Sequence, residues 1–188
     1  MGEESRKLTV RDPKTLMRTF RFALILLLLP LAGCAYTTAT RLPPYAKSIA
    51  IPTFTNRSFS GEYTRRWEVD LTQSVRDEFL KNGRLKLGER DSADLILEGE
   101  FTKFDRTAVS LDRFGEAYQY RVRLVARVSL YDVKAAKYIV HNRLVASDQN
   151  NRESGTYSLQ RGEDENFGQQ KALEDITKNI VAEVMDQW

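Results

Sequence analysis

The chain has 188 residues, 41% hydrophobic and 29% charged, which is enough for one domain with its own core and too short for two ordinary ones. Its single cysteine excludes an intrachain disulfide framework and the cysteine-based zinc sites, and its single histidine excludes a multi-histidine metal centre. The net charge of +3 resides in residues 1–33, which hold six Lys/Arg and three acids; 29 less six and 26 less three leave 23 of each sign beyond them, so the rest of the chain has no electrostatic footprint for nucleic acid.

Met17-Arg-Thr-Phe-Arg21 is a short positive stretch, a leucine-dominated run follows over 22–30, and Leu31-Ala-Gly-Cys34 closes it. This is the composition of a secretory signal, with an apolar core too short to span a bilayer well. Met17 is a more natural start than Met1. The run ending at Cys34 resembles the lipobox of bacterial lipoproteins, in which small residues admit the signal peptidase and the cysteine thiol carries a diacylglycerol. That resemblance implies a signal peptide over 1–33 and lipid attachment at Cys34. A lipidated extended leader over 34–46, stiffened by Pro43 and Pro44, would then follow. Each buried CH₂ contributes about 0.8 kcal/mol, so two or three acyl chains anchor a protein firmly. Ala35 stands where an aspartate would retain a lipoprotein at the inner membrane, which favours the outer membrane and a periplasm-facing body.

Residues 47–54 read as a first strand, with Pro52 marking an edge or an end. Residues 56–61 are a polar turn. Over 62–82, Tyr63, Trp67, Leu71, Val75 and Phe79 recur every four residues and predict an amphipathic helix, closed at Asn82-Gly83 by a glycine suited to the left-handed conformation. Residues 85–89 are short and extended. Residues 94–104 predict a second strand with Leu95, Leu97, Gly99 and Phe101 on one face. Residues 105–116 read as a loop. Residues 117–131 predict a long third strand with an unbroken apolar face from Tyr118 to Leu130. Residues 132–137 are a tight connection and 138–147 a fourth strand. Residues 148–164 read as polar and mobile. Residues 165–188 predict a second helix with Leu173, Ile176, Ile180, Val184 and Trp188 along one face. The order β-α-β-β-β-α predicts an α+β two-layer sandwich, with two helices on one face of a mostly antiparallel four-stranded sheet and a single domain over 47–188.

Chemistry is sparse. His141 lies mid-strand, out of phase with Val140 and Leu144, and reads as an exposed strand residue. Glu98 and Glu100 are paired acids on one face with nothing to raise a pKa. No phosphate-cradling glycine loop exists. The chain reads as a non-enzyme without cofactor or metal. What stands out is the outward face of the third strand, where Arg121, Arg123 and Arg127 form a partner-facing candidate surface or a solvated face with cross-strand ion pairs to Glu98 and Glu100.

Ile49-Ala-Ile-Pro-Thr-Phe-Thr-Asn-Arg57 after a lipobox resembles the start of LptE-type lipopolysaccharide-assembly lipoproteins. Ala93-Asp-Leu-Ile-Leu-Glu-Gly99 and the 112–120 run, Asp-Arg-Phe-Gly-Glu-Ala-Tyr-Gln-Tyr, are similar to later segments of that family. The resemblance covers nearly the whole chain beyond the leader. It implies an outer-membrane lipoprotein that plugs and helps assemble an LptD-type β-barrel and binds lipopolysaccharide (LPS). It also implies basic residues at one end of the sheet to meet lipid A phosphates: Arg113 in the loop, with Arg161 and Arg152 in the segment after the fourth strand. The Ile-Ala-Ile-Pro-x-Phe start also resembles CsgG-like and TolB amino-terminal domains, which leaves a structural lipoprotein of another envelope or secretion complex as the alternative.

Overall fold

The computed structural model describes residues 42–58 and 66–185. The signal, Cys34, the leader before Leu42, Tyr63 and Trp188 lie outside them. The described residues belong to one compact unit, Ala39–Trp188.

The first helix, α1 (Trp67–Asn82), follows its four-residue period. Trp67, Leu71, Val75 and Phe79 are buried, each contributing about 1.5–3 kcal/mol by leaving water. Gly83 closes it at φ 70°, its N–H donating to the Phe79 carbonyl.

The expected first strand is two short ones, β1 (Ser48–Ala50) and β2 (Thr55–Asn56). The break has a local cause. Pro52 has no N–H for a ladder, and the backbone around it turns to α1 instead. The Ile51 carbonyl accepts from the Arg76 guanidinium, and the Phe54 N–H donates to the Thr72 hydroxyl at 2.9 Å. Residues 85–89 supply β3 (Lys86–Leu87), which pairs with β1 in parallel.

The second expected strand is longer than its apolar residues indicate. β4 (Leu95–Leu111) runs far beyond residue 104, because Asp105 to Leu111 continue the antiparallel ladder with β5 (Ala117–Asp132). The expected loop over 105–116 is therefore only a turn. Asp112 builds it, its Oδ1 accepting the N–H groups of Phe114 and Glu116 at 2.8 and 2.9 Å, with Gly115 at φ 84°.

β6 (Lys137–Ala146) pairs with β5. Between Val128 opposite Arg143 and Leu130 opposite Val140 the register slips. Asn142 absorbs the extra residue at φ 51°, and its N–H donates to the Ser129 hydroxyl. The slip reverses the phase of the strand. Val140 and Val145 are buried, whereas Leu144, grouped with Val140 on the sequence, is 55% exposed.

Residues 148–164, expected to be polar and mobile, hold β7 (Thr156–Ser158), which pairs with Gln119 to Arg121 of β5. Residues 154–158 are all buried. A single-turn 3₁₀ helix (Leu159–Arg161) and Gly162 lead into α2 (Glu165–Met185), whose Ile176, Ile180 and Val184 are buried as expected.

The sheet is thus seven-stranded and mixed, not four-stranded and mostly antiparallel. Its order is β3-β1-β4-β5-β6, with β2 added on β4 and β7 on β5, and the β1, β2 and β3 pairings are parallel. The α+β class and the two layers hold. Both helices contribute to one core with the inward residues of β4 and β5.

Candidate functional site

The β4–β5 turn and the segment leaving β7 share one end of the sheet. Ser158 lies opposite Gln119 and Leu111 opposite Ala117, so Arg113 and Arg161 both leave the sheet in that direction. Arg113 is exposed, its guanidinium 4.7 Å from the Phe114 ring centroid. Arg161 is held by Glu163 at 3.1 Å, whose other hydrogen bond comes from the Ser158 N–H. Arg152 is exposed but does not join them. It precedes Gly155, whose carbonyl accepts from Val122 further along β5, and its neighbour Asn151 bonds to Asp175 of α2.

Large apolar side chains are exposed at this same end: Leu111 at 59%, Phe114 at 75% and Leu159 at 52%. Behind them a polar clamp ties β4, β5, β7 and α2 together. The Arg106 Nε donates to the Tyr157 hydroxyl at 2.7 Å and lies 3.2 Å from Glu165, and its guanidinium sits 4.0 Å above the Tyr120 ring. The hydrogen bond to Tyr157 raises the Arg106 pKa, so it stays cationic, and burial raises that of the Tyr157 hydroxyl, which stays protonated. Gly168 makes room for this clamp, and Gly155 for the close approach of β5. A Cβ on Gly168 would lie 2.5 Å from the Tyr157 ring. Sequence reasoning missed Arg106, Tyr157 and the apolar trio. Their signal was two glycines flanking a lone tyrosine, and apolar residues beside Arg113 in a segment read as loop.

The three sheet arginines alternate with buried Val122, Leu124, Ala126 and Val128, so they face away from the helices. Each has a partner within the chain. Arg123 bonds both oxygens of Asp148 at 2.8 and 2.9 Å, Arg127 lies 3.5 Å from Glu100, and Arg121 reaches the Thr156 hydroxyl at 3.3 Å. Glu98 pairs with Arg90, not with β5, and Glu100 also meets Arg57. Val125 and Leu144 stand among these pairs, in a shallow groove with Lys103, Arg123, Arg127 and Asp148. His141 is exposed, bonded to Asn142 and tilted against Tyr138. Among the described residues no group of three or more His, Cys, Asp or Glu is placed to hold a metal ion.

Two helices on one side of a mixed sheet, with the other side mostly polar and uncovered by any described element, make an α+β two-layer domain. The LptE model, described as lipopolysaccharide-assembly, matches residues 46–188, and the chain belongs to that family of envelope lipoproteins. No curated protein matches it. Among solved structures, the hypothetical protein CT253 from Chlamydia trachomatis is similar at 11% identity over 74% of this chain and 98% of its own, with a TM-score of 0.48. The uncharacterized lipoprotein B from Nitrosomonas europaea is similar at 14% over 76% and 83%, TM-score 0.45. PelC from Paraburkholderia phytofirmans, a dodecamer, is similar at 12% over 80% and 96%, TM-score 0.44. At these scores none bears on function.

Proposed function

We propose that this protein is an outer-membrane lipoprotein, acylated at Cys34, that helps to assemble and plugs an LptD-type β-barrel and binds LPS during its insertion into the outer leaflet. The observation that carries the LPS part is the chemistry of one end of the sheet. Arg113 and Arg161 stand beside exposed Leu111, Phe114 and Leu159. An amphiphile with phosphates next to acyl chains needs that pairing of groups. Arginine suits phosphate because its planar fork offers two parallel hydrogen bonds. Such a contact contributes about 1.5–3 kcal/mol where water is partly excluded and far less where it is not. Membership of the lipopolysaccharide-assembly family supports the same reading.

The barrel part rests on the outward sheet face. A barrel lumen is polar, and a face whose arginines already carry internal partners enters it without stranding a charge. Arg123 and Arg127 meet that condition through Asp148 and Glu100, whereas Arg121 has the neutral Thr156 hydroxyl as its partner.

The test is an LPS-binding titration of wild type against Arg113→Asp/Arg161→Asp and Lys134→Asp/Lys137→Asp, with folding checked by circular dichroism. The arginine pair loses about tenfold in affinity and the lysine pair keeps it. Equal loss from both pairs would mean generic charge attraction, and no loss from the arginine pair would overturn the site.

A further inference from the structure

A second charged surface lies at the opposite end of the sheet. Ser48 is opposite Lys86, Ile49 is opposite Leu95, and Leu95 is opposite Asp132, the last residue of β5. Lys47, Lys86 and the β5–β6 turn with Lys134 and Lys137 therefore share one end, and Arg84 just precedes Lys86. All five are exposed, and none is in a salt bridge among the described residues.

Two acids near them are engaged by hydrogen bonds within the fold. Asp94 accepts from the N–H groups of Lys47 and Ser48, and Asp132 accepts from the Tyr45 hydroxyl and the Ala135 N–H. Asp91, in the turn before β4, is exposed. Val133 and Tyr138 flank the lysines at 42% and 45% exposure. Lysines around an exposed tyrosine and a small apolar residue are the composition of a membrane interface.

Reach decides which end can lie on a membrane. The chain enters the described structure at Leu42, and Tyr45 is bonded to Asp132 at this lysine end. The eight links from Cys34 to Leu42 span at most about 28 Å. The hairpin tip is one length of β5 away, and 16 residues of strand extend about 50 Å. Acyl chains on Cys34 thus hold the lysine end, and not the tip, against the leaflet they enter.

We propose that, before the body enters a barrel, the Lys47–Lys86–Lys134–Lys137 end is a docking surface for the anionic phospholipid headgroups of that leaflet, which sets the body upright on its anchor. This rests on the lipid-anchor reading of Cys34. It is independent of LPS binding, which concerns the other end.

The test uses the full chain, processed and acylated in a bacterium and reconstituted on vesicles of phosphatidylcholine alone or with one part in three phosphatidylglycerol. Lysine acetylation rates are read residue by residue by mass spectrometry. With phosphatidylglycerol, Lys134 and Lys137 react at least about threefold more slowly, while Lys103 and Lys171 do not change, and high salt removes the difference. Lys134→Glu/Lys137→Glu, acylated and folded as wild type, loses the protection at Lys47 and Lys86. Equal rates on the two vesicles, or equal slowing at Lys103 and Lys171, would overturn the proposal alone. A chain that carries no acyl mass would overturn the anchor, and the proposal with it.

Discussion

At Gly155 the backbone adopts φ 66°, and an added Cβ would lie 2.0 Å from the Val122 carbonyl oxygen and 3.1 Å from the Ala172 methyl. The oxygen belongs to the β5 backbone and cannot move aside. Gly155→Ala therefore combines left-handed strain of about 1–2 kcal/mol with overpacking of about 1–3 kcal/mol. Gly115, at φ 84° with nothing within 4 Å of its would-be Cβ, supplies the contrast, since Gly115→Ala carries the strain alone. Urea unfolding should place the first variant about 3 kcal/mol or more below wild type and the second about 1–2 kcal/mol below. Equal losses would show that the close approach at Gly155 relaxes.

Strand β7 is held by one side chain more than by its own ladder. It has three residues, too few to be stable alone, and Tyr157 carries it, stacked on Tyr120 at 5.6 Å and bonded to Arg106. Arg106→Met keeps an unbranched apolar stem but removes the hydrogen bond, the Glu165 ion pair and the guanidinium over Tyr120. With Arg106 about one third exposed, we expect a loss of about 1–1.5 kcal/mol, read as roughly tenfold faster amide exchange at Gln119 to Arg121 and Thr156 to Ser158. Exchange at Leu124 to Leu130 should not change; acceleration across all of β5 would mean global loosening. The same element shows where the sequence stops being legible. Both helices were readable because an apolar stripe repeats over four or five turns, and the long β5 because its alternation runs unbroken. β7 has one large residue in a polar segment, and the far half of β4 loses its alternation at Asp105, Arg106 and Thr107. The phase reversal at Asn142 needs the Ser129 hydroxyl on another strand. Each depends on a partner that local periodicity cannot register. The arginines of the tip were found as cations in connecting segments, but the apolar residues between them became a surface only once the 105–116 segment proved to be strand and turn.

At the scale of the molecule, the fold has two chemically different ends joined by β4 and β5, and the leader is fastened to only one of them. The fastening is electrostatic. Hydrogen bonds from the Lys47 N–H and the Ser48 hydroxyl hold Asp94 below its ordinary range. Burial pushes Asp132 up, but the Tyr45 hydroxyl and the Ala135 and Lys134 N–H groups outweigh it, with help from the Lys137 charge, and its pKa is lowered overall. Tyr45, bonded to that carboxylate, is itself pushed up to about 12 and so remains a donor across the neutral range. The sign follows from linkage. A carboxylate with a folded pKa below its unfolded 3.8 stabilises the fold fully above that value, and the contribution is lost as the pH falls through the folded pKa. Tyr45→Phe removes the bond that lowers Asp132 while leaving Asp94 intact. Thermal melts should therefore show the variant below wild type at pH 7, with the gap closing as the pH falls below 3.8 and through the lowered Asp132 pKa. Limited proteolysis should cut the variant more readily between residues 42 and 47 at pH 7. A gap that persists unchanged into acid would mean that Tyr45 acts through packing under Lys134, whose ammonium lies 4.6 Å from its ring, and not through the Asp132 carboxylate.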